Sequence, residues 1–546
     1  MKRALGKILC GATLLLGLPL TFTSCEEILG EWSKPAPVPG TPNTPTPSPT
    51  PTPAPKTAGA ISFTTTALNK GSLDPAFTNE LTITGDGAVT YSSSNETAAT
   101  VDPTTGEVTL VGAGTTSITA TVSDSETYAY ETKSASYNLE VTDGISYLEW
   151  DGTKFITKNV ASSGCQVVTS STTAWNGSKT YVVNGNMTIS GNVTVSANSN
   201  LILCDGAKLT INGKLHDGGA NNNLTIYAQS DGTKMGALEV TSAMTKDTDY
   251  TMRFFNLTIH GGKITATANN ASYQSGYGTL SKTLTMYGGD LTAQGNGKNG
   301  AAIDATVAVN IQNKAKLWAI GSSNSSVTGD DGIRSSVDGT TITVSGDAIL
   351  TATGGNGSSG GCAVKGVNLT LTANGNASVT LTGGNASGNA SGGKGIYGNV
   401  TASGNAIVEI TAGNGSTGGE GISSKLTISG NASVNVMGGN ATSSVIDAGY
   451  AIDQVDYKGG SLTVTGGVNS LNAEKNGKAI NTSITNNSGS SVDFEYSSDA
   501  TTWTTNSVAG SGTWDDPHGK SRFVRKKPEA LRQLHFTRTK PRLYSE

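Results

Sequence analysis

Proline is missing from the long middle of this 546-residue chain: sixteen occur, and none lies between Pro103 and Pro517. A strand hydrogen-bonded on both sides cannot give up its N–H, so the stretch is free to be continuous sheet. Charge is also scarce. Only 14% of residues are charged and the net charge is −5, which excludes a basic nucleic-acid-binding surface. The five cysteines (Cys10, Cys25, Cys165, Cys204 and Cys362) form no Cys-x-x-Cys pair, and with four histidines they supply no zinc-site spacing. A Cys165–Cys204 disulfide would leave Cys362 over, so solitary buried thiols are the plainer expectation.

What is abundant is glycine, 71 residues, and it recurs in phase. Leu257-Thr-Ile-His-Gly-Gly-Lys-Ile-Thr-Ala-Thr-Ala returns as Leu284-Thr-Met-Tyr-Gly-Gly-Asp-Leu-Thr-Ala-Gln-Gly, then as variants starting at Ile342, Val400 and Leu426. The marker glycines are Gly261, Gly288, Gly346, Gly404, Gly430 and Gly459, with a weaker copy near Gly375. A second phrase runs between them: Gly332-Ile333, Gly395-Ile396, Gly421-Ile422, Ala451-Ile452 and Ala479-Ile480. Within each copy apolar and polar residues alternate with period two, the mark of short half-buried strands. No such unit buries its apolar face alone; stacked copies do. The repeat, about 28 residues long, predicts an all-β chain whose residues 185–485 wind into a parallel β-helix, expected to be right-handed. Ten or eleven coils at about 4.8 Å each make a rod about 50 Å long. An array of β-sandwiches would need a period near domain size, and the repeat is far shorter. Glycine is then corner chemistry, and the Asn-Gly and Gly-Asn-Ala turns are expected to form internal amide ladders.

The ends differ from the middle. Lys2, Arg3 and Lys7 precede the apolar run Ile8–Leu20, the pattern of a secretory signal over residues 1–24. Phe22-Thr-Ser-Cys25 resembles a bacterial lipoprotein box, which implies acylation of Cys25, attachment to a membrane, and an outer-membrane or cell-surface location. Residues 25–56 are a Pro/Thr-rich linker, in which the polyproline-type stretch from Lys34 to Lys56 would span about 60–70 Å. Residues 144–184, with Trp150 and Trp175, are expected to cap the first coil, and 486–516 the last. The basic tail 517–546 matches nothing upstream and is expected to be disordered.

Residues 57–143 alternate as strands of a sandwich. Tyr91-Ser-Ser-Ser-Asn-Glu-Thr-Ala-Ala-Thr-Val-Asp and Thr105-Gly-Glu-Val-Thr-Leu-Val-Gly-Ala-Gly-Thr-Thr-Ser-Ile-Thr-Ala-Thr-Val resemble the bacterial Ig-like group 2 family, which implies a non-catalytic surface spacer. The stretch from Asn184 to Gly467, with its succession of Leu-Thr-Ile-x-Gly and Gly-Ile units, resembles a carbohydrate-binding β-helix family, similar in fold to polysaccharide lyases. That resemblance implies a cellulose- or pectin-like polysaccharide or a host glycan as partner, and calcium as cofactor.

The residues supply candidates for both. Tyr227, His260 and Tyr287 occupy one outward position in successive repeats, and Trp318 is a further aromatic without a core role. A row of rings suits an extended sugar chain; equally, stacked aromatics can serve only to join neighbouring coils. Asp330 and Asp331, beside Arg334, are the tightest acidic group, with Asp304 and Glu420 at comparable positions in other coils. Hard oxygen ligands of this kind hold calcium, while a solvated acidic turn balanced by Arg334 is the plainer alternative. One arginine and one acidic pair fall short of lyase chemistry. The expected function is therefore non-catalytic polysaccharide binding by a monomeric, lipid-anchored protein. An adhesive protein with a protein or mucin partner, and a calcium-dependent polysaccharide lyase, stand as alternatives.

Overall fold

Parallel pairing dominates the architecture. The computed structural model describes residues 54–243, 249–269, 276–296, 300–515 and 521–528; the signal segment, Cys25, most of the Pro/Thr linker and most of the basic tail lie outside them. From Lys56 onward the chain is one unit. Its larger part is a β-helix made of an 18-stranded and a 14-stranded sheet. In the second sheet eleven strands, from Asn186–Ser190 to Ser461–Thr465, pair in parallel and in unbroken register. In the first, strands such as Asp249–Ile259 and Gly276–Met286 are long enough to bend across two sides of the coil. The Leu-Thr-Ile and Gly-Ile phrases thus share one sheet, and the phrase beginning Ile-Thr-Ala-Thr forms the other.

The period-two pattern explains the core. Leu257, Ile259, Ile264 and Ala266 point inward with their counterparts Leu284, Met286, Leu291 and Ala293, and all are buried. Each coil stacks like residue on like residue, so the apolar column is continuous from Val168 to Val524. The corner glycines Gly346, Gly375, Gly404 and Gly430 sit at φ +71°, +69°, +68° and +66°, the left-handed region that a Cβ disfavours. The asparagine ladders are present. The Asn414 N–H donates to Asn385 Oδ1 at 2.8 Å and the Asn440 N–H to Asn414 Oδ1 at 2.8 Å. A second ladder runs from Asn376 to Asp347 and from Asn405 to Asn376.

Glycine has a further task that the corner argument did not anticipate. From Gly354 onward each coil carries a side loop on a two-ply glycine neck. N–H donors and carbonyls link Gly361 to Gly355, Gly384 to Gly361, Gly393 to Gly384 and Gly413 to Gly393 at 2.7–2.9 Å. A Cβ on Gly393 would lie 1.8 Å from the Gly361 oxygen, so the neck closes only because side chains are absent.

Three boundaries move. The helix begins at Cys165–Val167 rather than at 185, because Ala174–Trp175 and Thr180–Val183 already pair in parallel with the next coil. Trp175 is buried and stacks on Tyr181 at 4.6 Å. The segment Ile145–Trp150 and Phe155–Val160 is an antiparallel hairpin that lies along the side of the rod instead of over its end. In the basic tail, Phe523–Lys526 is a strand inserted between Ser461–Thr465 and Val492–Ser497, where Val524 is buried and Arg525 pairs with Glu495. Cys165, Cys204 and Cys362 are all free thiols.

The N-terminal sandwich has a four-stranded and a three-stranded sheet, with Phe63 edge-on to Tyr137 at 4.8 Å in its core. It is docked on the rod rather than tethered to it. Leu73 packs on the solenoid core, its carbonyl accepts from Asn184, and Asp74 accepts from Gln229 at 2.5 Å.

Candidate functional site

The aromatic ladder forms as its spacing predicts. The Tyr227 and His260 rings stack at 4.8 Å, and His260 meets Tyr287 at 5.0 Å. It is not an open platform, however. The hairpin covers it: Tyr147 packs on Tyr227 at 4.6 Å, Trp150 lies parallel to Tyr287 at 6.4 Å, and the Trp150 N–H donates to His260 Nδ1 at 2.9 Å. Tyr227 and His260 are consequently 7% and 8% exposed. Burial holds the His260 imidazole down at about 4, so it is neutral and able to accept that hydrogen bond. The expectation that Tyr227, His260 and Tyr287 form an open face for a sugar chain is corrected: two hairpin rings pack over three rings from successive coils, burying Tyr227 and His260 and half-burying Tyr287. Trp318 stands elsewhere, half-buried on the 14-stranded sheet, with Thr292 and Thr351 as its register neighbours, so it continues no aromatic row.

The acidic candidates do not converge either. Asp330 is buried and accepts from the Gly300 N–H at 2.6 Å. Asp331 accepts from the Cys362 N–H and faces Lys365 at 3.7 Å. Asp304 faces Arg334 at 3.6 Å, and Arg334 in turn donates to the Tyr277 hydroxyl. Glu420 pairs with Lys394 three coils further along. Burial raises the carboxyls of Asp304 and Asp331, with Arg334 and Lys365 respectively opposing it. With Glu420 at least three coils from the others, the four acids cannot share one ion, and among the described residues no three His, Cys, Asp or Glu side chains are grouped to hold a metal. The calcium set Asp304, Asp330, Asp331 and Glu420 is corrected on that ground.

The structure puts a different feature forward. Where the covering hairpin ends, a groove of about 600 Å³ opens at the corner between the two sheets, lined by Leu148, Phe155, Met235, Lys263, Asp290 and Lys316 among others. It shares Thr233, Met235 and Lys263 with a second hollow of about 540 Å³, lined by Asp205, Lys208 and Lys234. Together they run along the coil axis from Lys208 to Asp347, a distance of about 24 Å at one coil per 4.8 Å. Gly288 makes room for the hairpin: a Cβ there would meet the Phe155 ring at 2.8 Å. Above the groove, the first outward residue of each strand forms a column that reads Lys208, Ala237, Lys263, Asp290, Lys316 and Ile349. Its ion pairs are half-exposed, Lys316 standing 4.0 Å from Asp290 and Lys208 meeting Glu239 at 2.6 Å; beside the column an exposed Lys314 lies 4.0 Å from Asp231. An elongated trough with an apolar side and many exchangeable donors and acceptors can hold a polyhydroxylated chain.

Sequence reasoning missed this groove. Its signal is present in the double glycines Gly261-Gly262 and Gly288-Gly289, each followed by a charged residue, and in the longer corner Gln229–Gly236. What could not be read is that Phe155, more than a hundred residues upstream of Gly288, comes to rest there.

Compared with known proteins, residues 80–124 match the family model of the intimin immunoglobulin-like domain. The match lies within the docked sandwich and supports its bacterial Ig-like character. No curated protein matches the chain. An adhesin-type Ig-like domain joined to a β-helix fits a bacterial surface protein with an adhesive or binding role.

Proposed function

We propose that this chain is a non-catalytic, lipid-anchored surface protein that binds polysaccharide, and that the corner groove is where it does so. The observation that carries the reading is the groove's form: a continuous trough along six coils, with Phe155 and Leu148 on the hairpin and a column of lysine and aspartate along the sheet. Aromatic faces pack on sugar rings, and charged and amide groups at rim positions bond hydroxyls. The signal, Cys25 and linker at the N-terminus favour display from a membrane, with the Ig-like domain holding the rod rigidly rather than loosely. The reading rests on the groove and does not draw on Asp304, Asp330, Asp331 or Glu420.

The test is calorimetric titration of the full chain with soluble plant and host polysaccharides. Binding of at least one, weakened about tenfold or about 1.4 kcal/mol by Phe155→Ala, is the expected outcome. A protein that binds none of them, or whose binding is untouched by Phe155→Ala and Lys263→Ala together, would refute the groove. Adhesion to host protein that persists in those variants would favour the adhesive alternative that the intimin-type domain supports.

A further inference from the structure

We infer that the corner groove selects a linear acidic polysaccharide with one carboxylate per disaccharide; this rests on the groove being the glycan site. The reason is the arithmetic of the column. Lys208, Lys263 and Lys316 occupy equivalent positions on every second strand, with Ala237 and Asp290 between them. In a parallel β-helix that places successive lysine Cα positions about 9.6 Å apart, two strand spacings, with their flexible side chains free to reach along the column. Two equatorially linked pyranose rings in an extended chain span the same length. All three lysines line the continuous trough, so a chain lying in it meets a cation at each disaccharide step.

The intervening positions sharpen the choice. A polymer acidic on every ring would set alternate carboxylates against Ala237, which offers no charge, and against Asp290, which repels them. A neutral polymer would leave the lysines with nothing to neutralise. A chain with alternating acidic and neutral rings puts its carboxylates on Lys208, Lys263 and Lys316, and an N–H or O–H of the neutral ring on Asp290. The lysines are available for this. Lys263 donates to the Thr233 carbonyl at 2.7 Å, a bond that water can replace, while Lys208–Glu239 and Lys316–Asp290 are half-exposed pairs of the kind that exchange readily.

The experiment uses the full chain in low salt, titrated with four probes: hyaluronan and unsulfated chondroitin, which carry one carboxylate per disaccharide; polygalacturonate, which carries one on every ring; and a neutral mixed-linkage β-glucan. The first two should bind about tenfold or more tighter than the others, and Lys263→Ala should remove most of that margin. Asp290→Lys, which fills a gap in the column, should move the preference toward polygalacturonate. Equal or tighter binding of polygalacturonate or the neutral glucan overturns the inference while leaving the groove a glycan site. Binding of the acidic probes that Lys263→Ala and Lys316→Ala leave unchanged overturns it as well. If none of the four binds, the inference fails, and the broader polysaccharide titration decides separately whether the groove binds glycan.

Discussion

His260 shows how one side chain changes meaning with its surroundings. Its place in the repeat made it a rung of an aromatic row, and it is one, but the rung is covered and its Nδ1 accepts from the Trp150 N–H. Burial holds its pKa at about 4, below the usual imidazole value. A depressed folded-state value means that the unfolded chain takes up the proton first. The stabilising contribution is therefore complete above about pH 6.5 and is lost as pH falls from there toward about 4. Protonation would also turn the acceptor into a donor facing the Trp150 N–H. Thermal melts across pH 7 to 4 should show a fall in Tm that is smaller in His260→Phe, which keeps the stack and removes the titrating group. An equal fall in both proteins would show that other groups set the acid response.

At the scale of elements, strands and corners were largely legible and coverage was not. Period-two alternation gave the inward residues, and the recurrence of Gly-Asn-Ala gave the amide ladders, because both depend on residues close in sequence. The hairpin over Tyr227 and His260 depends on a contact spanning 110 residues, which no local pattern records. The same holds for the acids: the spacing of Asp330, Asp331 and Arg334 suggested a metal site, but Gly300, Cys362, Lys365 and Asp304 arrive from neighbouring coils to satisfy them. The ladders themselves can be tested. Asn414→Ala removes the acceptor of the Asn440 N–H and should cost about 1 kcal/mol, whereas Asn414→Asp keeps an acceptor and should cost less. Asp347 already serves Asn376 in that way. Urea unfolding of the two variants gives the comparison, and equal losses would mean that the bond contributes nothing.

For the whole molecule, the open ends of the rod are its weak points. A solenoid end presents unpaired strand edges, and here the last coil is closed by Phe523–Lys526 pairing on one side with Ser461–Thr465 and on the other with Val492–Ser497. Ending the chain after Asp515 should expose that edge and the apolar surface around Val464 and Phe494. Light scattering after size exclusion should then report concentration-dependent association that the full chain lacks; a monomeric truncated protein would contradict this role for the tail. By itself the sequence determined the β-helix, its phase, its core columns and its glycine corners, since each coil repeats the same short-range pattern and stacking is the only way to bury it. The tertiary structure alone decided which surface remains open. A hairpin from outside the repeat covers the aromatic row and leaves the corner groove beside it, and a tail strand closes the far end, because both are placed by long-range packing that periodicity does not encode.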